Sequence, residues 1–92
     1  MLNPEVLKEV KLHLNQHTVA SILNHVGYEV DRSFKFRLRD EKTPSASIRA
    51  DGFLKDFGGD FSGSIFDLLQ LDKHMSFPQS VEYVAVCLGV EL

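Results

Sequence analysis

Apolar residues change their spacing twice along this 92-residue chain. Val19, Ile22, Leu23 and Val26 recur at i, i+3, i+4 and i+7, the stripe of an amphipathic helix. From Tyr28 the spacing falls to two, and Phe34, Phe36 and Leu38 alternate with Lys35, Arg37 and Arg39. In a strand, alternate side chains point to opposite faces, so one face is apolar and the other carries three cations in succession. After Ser64 the helical spacing returns in Ile65, Phe66, Leu68, Leu69 and Leu71, and again in Val81, Val84, Ala85 and Leu88. Residues spaced this way predict helices at both ends of a small antiparallel sheet, in the order ααβββαα, an α+β fold.

Punctuation residues agree with that division. Asn3-Pro4-Glu5 reads as N-cap, first helical position and first-turn acid, followed by Val6, Leu7, Val10 and Leu14 at helical spacing. Thr18 is expected to cap the second helix, and Gly27 to end it in a left-handed conformation. Pro44 pushes Thr43 towards an extended backbone. Strands are expected over Ser45–Arg49, with Ala46 and Ile48 inward, and over Phe53–Phe57. Asp51-Gly52 between them is expected to form a two-residue type I′ hairpin turn. Gly58, Gly59 and Gly63 read as loop. Ser64 with Asp67, and Ser76 with Gln79, have the spacing of capping boxes, and Gly89 is placed to stop the last helix.

A chain of this length makes one domain with a modest core, residues 1–92. No apolar run is long enough to span a membrane, and Met1–Val10 shows no basic-then-apolar leader, so the cytoplasm is the expected location. One cysteine, Cys87, excludes an internal disulfide and a cysteine metal cluster; a buried, inert thiol is the expectation there. Total charge is −3, unevenly placed. Seven basic residues (Arg32, Lys35, Arg37, Arg39, Lys42, Arg49, Lys55) and three acidic ones give Arg32–Lys55 a net +4, leaving −7 for the rest. A cationic centre between acidic ends suits a local anion site, and equally a solvated surface.

The run Asp40-Glu41-Lys42-Thr43-Pro44-Ser45 resembles the segment after the first ligand pair in the zinc-binding domain of bacterial DNA primases. The resemblance continues through Phe53–Ser64, similar to that family's C-x-x-C ribbon and glycine turn. It also covers Met75–Tyr83 and Leu88–Leu92, similar to its terminal L-x-F-P-E-A-V-E helix and L-G ending. It spans about residues 17–92, with its motif core at 34–69. The resemblance implies a small zinc-ribbon-like sheet flanked by N- and C-terminal helices. All four ligands are replaced: Phe36 stands at the first cysteine, Arg39 at the histidine, and Asp56 and Gly59 at the C-x-x-C pair. Structural zinc needs thiolates or imidazoles in a tetrahedron, so no zinc and no other cofactor is expected. Apolar packing by Phe36, Phe57 and Phe61 is expected in its place, with an Arg39–Asp56 ion pair across the old site.

In that family the domain engages single-stranded DNA while another domain performs polymerisation. The resemblance therefore implies a non-catalytic, DNA-contacting module. The cationic candidates are Lys35, Arg37, Arg39, Lys42, Arg49 and Lys55. Phe57 and Phe61 are expected in the core, with base stacking as the alternative. A second reading is a protein–protein interaction module of a replication or mobile-element protein, one that has lost DNA binding and docks onto a partner such as a replication protein. No catalytic constellation is legible. His13 and His17 have metal-ligand spacing but a helix break between them, and His25 and His74 read as surface residues. The Gly58–Ser64 loop before a helix suits an anion, but flanking Asp60 and Asp67 favour a plain turn.

Overall fold

The computed structural model describes residues 3–37, 46–57 and 61–91. Its elements run α1 (Pro4–His13), α2 (Gln16–Val26), β1 (Lys35–Phe36), β2 (Ala46–Ile48), β3 (Leu54–Asp56), β4 (Ser62–Gly63), α3 (Ile65–Asp72) and α4 (Phe77–Leu88). The strands form one antiparallel sheet in the order β1-β2-β3-β4, with helices at both ends of the chain. This is the expected α+β arrangement with one more strand. β4 comes from the Ser62–Gly63 stretch, read from sequence as loop because two residues carry no periodicity.

Side chains close the helix ends as the sequence implied, with one shift. Asn3 Oδ1 accepts the Glu5 N–H, and Pro4 opens α1. The cap of α2 is Asn15, not Thr18. Asn15 Oδ1 accepts from the N–H groups of His17 and Thr18, while Thr18 Oγ1 accepts the Asn15 N–H, so Thr18 is the returning half of a capping box. Ser64 with Asp67 and Ser76 with Gln79 form the two expected boxes on α3 and α4. Gly27 and Gly89 end α2 and α4 with positive φ, 127° and 76°.

One cluster of buried apolar residues joins all four helices to the inner face of the sheet. Val10, Val19, Leu23, Phe36, Leu54, Leu68, Leu69, Val81 and Val84 are fully buried, and α1 and α3 both pack on α4. In β2 and β3 the alternation sends Ala46, Ile48, Leu54 and Asp56 inward. Leu71, expected inside α3, is 64% exposed, because it falls on the side of the helix away from Leu69 and Phe66, beyond the edge of the buried stripe.

The β2–β3 turn differs from the expected type. Gly52 N–H donates to the Arg49 carbonyl and Arg49 N–H to that of Phe53, so the loop is Ala50-Asp51-Gly52. Asp51 keeps negative φ and only Gly52 is positive, at 91°, which excludes type I′. A three-residue loop with glycine in the left-handed position results. A Cβ on Gly52 would lie 3.0 Å from Val19 Cγ2, so the turn also seats the sheet on α2.

The approach to β1 is a second hairpin that the alternation did not reveal. Val30 bridges Phe36, Asp31 N–H donates to the Lys35 carbonyl, and Phe34 N–H to that of Asp31. Phe34 therefore occupies a turn with φ 60°, half-buried against His17, and not an inward strand position. Asp31 Oδ1 holds the turn by accepting from the N–H groups of Ser33 and Lys35.

Candidate nucleic-acid interface

Register brings the candidate cations onto one face. Lys35 pairs with Ser47, Ser47 with Lys55, and Lys55 with Ser62, so these four side chains form a row across the whole sheet. Their neighbours Phe36, Ala46 and Asp56 form the adjacent row on the opposite, buried face. The outer row is open: Lys35 and Ser62 are exposed, Ser47 and Lys55 half-buried. Arg37 follows β1 and is exposed, and exposed Arg49 follows β2 beside Phe53. Four of the six sequence candidates, Lys35, Arg37, Arg49 and Lys55, thus share the outer side of the sheet. Arg39 and Lys42 lie outside the described residues, as does Leu38.

Two aromatic rings accompany the cations. Phe53 and Phe57 flank β3, and the alternation carries both to the side of Lys55. Phe57 is 70% exposed, which corrects its expected place in the core. The reason is register: Leu54 and Asp56 take the inward positions, so odd-numbered residues of β3 face out. Phe53 is 40% exposed and also lines a cleft with Leu14 and Ile65. Phe61 is half-buried and packs on the core, as expected.

Of the residues that the resemblance sets at ligand positions, Phe36 is fully buried and meets the Tyr28 ring edge-on at 5.7 Å. Asp56 is also fully buried, two strands away in the same row. No buried side-chain nitrogen or oxygen among the described residues lacks a hydrogen-bond partner. Arg39 and Gly59 lie outside the described residues, and the expected Arg39–Asp56 pair with them. A phenyl ring donates nothing to a metal, so the Phe36 and Asp56 seats do not fit zinc. No three His, Cys, Asp or Glu side chains among the described residues gather as a metal site.

The remaining sequence candidates separate. His13 Nε2 lies 3.3 Å from Glu9 Oε1, and His17 packs edge-on against Phe34. His25 and His74 are exposed. Cys87 is half-buried, and burial pushes its thiol up, partly offset by the neighbouring Tyr83 hydroxyl. A raised thiol is a poor nucleophile. At the N-terminus of α3, Asp67 Oδ2 accepts from both the N–H and the hydroxyl of Ser64, which sets a negative charge at the helix start that disfavours an anion there. Gly63 is required beside it, since a Cβ there would lie 2.7 Å from Asp67 Oδ2. Gly58, Gly59 and Asp60 of that loop lie outside the described residues.

No helix among the described residues is long and apolar enough to cross a membrane. Neither the family models nor the curated proteins compared with this chain gave a match.

Proposed function

We propose that this chain is a non-catalytic module that contacts single-stranded DNA through the outer face of its sheet, without zinc, in the manner of a primase template-recognition domain. The observation that carries this reading is the outer row Lys35–Ser47–Lys55–Ser62 with Arg37, Arg49 and exposed Phe57 around it. Sequence-tolerant single-strand binding needs a cationic track for the phosphates and a ring on which a base stacks, and this face has both. Four cations neutralise few phosphates, so binding is weak and falls with salt, with a log–log slope of about −3.

Anisotropy titration of a labelled single-stranded oligonucleotide across salt tests it. Lys35→Ala with Lys55→Ala is expected to weaken binding and to flatten the slope by about 1.4, and Phe57→Ala to weaken it with no change of slope. No binding at low salt, or binding indifferent to these substitutions, contradicts the reading. Metal analysis of protein purified without chelator is expected to give well under one equivalent of zinc.

The same exposed Phe57 favours a second reading, an interaction module of a replication or mobile-element protein that docks onto a partner such as a replication protein. A partner that binds through Phe57 but is indifferent to oligonucleotide and to salt supports that reading over the first.

A further inference from the structure

We propose that the cleft on the outer edge of β1 is a base-reading subsite in which the Glu29 carboxylate selects guanine; this rests on the sheet face being the single-strand-binding surface. The Val30–Phe36 bridge and the Asp31 N–H donation to Lys35 set Glu29 opposite Arg37 and Asp31 opposite Lys35. Between these segments lies a cleft of about 540 Å³ lined by Tyr28, Glu29, Val30, Asp31, Lys35 and Arg37. That volume is in the range of small-ligand sites, roughly 300–1,000 Å³. The cleft continues the cationic row, so a strand tracking along Lys55 and Lys35 delivers a nucleotide to it.

The two carboxylates in the cleft are not equivalent. Asp31 Oδ1 is engaged by the N–H groups of Ser33 and Lys35, at 2.8 and 3.0 Å. Glu29 is exposed and no described residue pairs with it. Tyr28 gives the cleft a fixed wall: its hydroxyl donates to the Asp72 carboxylate, Lys73 Nζ lies 5.4 Å from its ring centre, and Phe36 abuts it edge-on. A wall already ordered lowers the entropic cost of seating a base.

A carboxylate only accepts hydrogen bonds, so it favours an edge with two adjacent donors. Guanine offers N1–H beside its N2 amino group. Adenine and cytosine place an acceptor beside their amino group, and thymine flanks one N–H with two carbonyls. Guanine alone therefore fits both oxygens of Glu29, while Lys35 holds a flanking phosphate.

The test compares a short oligo-dT with the same oligomer carrying one central dG, or one deoxyinosine, which lacks the N2 amino group. The dG oligomer is expected to bind about five- to tenfold tighter than oligo-dT, with deoxyinosine between them. Glu29→Gln is expected to reduce the dG advantage to about twofold or less while oligo-dT affinity holds or rises, since a negative charge leaves the face. Oligo-dT binding with no dG preference, or a preference that survives Glu29→Gln, overturns the subsite and leaves the sheet-face reading standing. Absence of binding to either oligomer overturns both.

Discussion

The Phe36 ring is fully buried against Tyr28, and under the proposed primase-like reading it takes the place of a first cysteine ligand. Zinc in isolated finger peptides contributes on the order of 10 kcal/mol to folding, so a chain that folds without it must draw on packing. Phe36→Ala is expected to cost about 3–5 kcal/mol, read as a lowered denaturation midpoint. An unchanged midpoint contradicts the idea that this ring has taken over from the metal. Alternation around Phe36 was legible: Lys35 and Arg37 go out and the ring goes in. The fate of Phe57 was not. A phenylalanine two places beyond a lysine reads as core by composition, and only the pairing of Leu54 and Asp56 with the inner row turns it to solvent. Phe34 misled for a related reason, since the Asp31 side chain organises a turn that interrupts the apparent period.

Among the elements, helices were the most readable, because caps and stripes are local. Asn3, Gly27, Ser64, Ser76 and Gly89 all perform the roles their neighbours implied. Strands of two or three residues were harder, since β4 is defined only by its pairing with β3. Long-range ties such as Tyr28 to Asp72 have no sequence signal at all. That bond joins the segment after α2 to the end of α3. Burial first, then the hydrogen bond and charge of Asp72, raise the Tyr28 hydroxyl above its ordinary value of 10.0. A raised pKa means the folded state holds this proton more tightly than the unfolded one. Stability from it is complete below about pH 10 and is lost as pH rises further. Tyr28→Phe is expected to be about 1 kcal/mol less stable near neutral pH. The gap should close in strong alkali, where wild type must ionise the hydroxyl or hold it unfavourably; urea midpoints at both pH values check this, and a constant gap contradicts it.

At the scale of the molecule, the chain divides its labour between the two faces of one sheet. The inner face joins the helical core, and the outer face gathers Lys35, Lys55, Arg37 and Arg49 from separate strand segments. A radius of gyration of 12.7 Å matches a compact unit of this length, for which about 12 Å is typical. Charge asymmetry along the sequence signalled a cationic centre, but the coherent row across the sheet depends on strand register, which residue counts do not fix. The most direct check is amide chemical-shift mapping of labelled protein during titration with oligo-dT at low salt. Perturbations centred on Lys35, Ser47, Lys55, Phe57 and Ser62, fading as salt is raised, are the expected result. Shifts confined to α4, or no shifts at all, contradict the assignment of the sheet's outer face to single-stranded DNA.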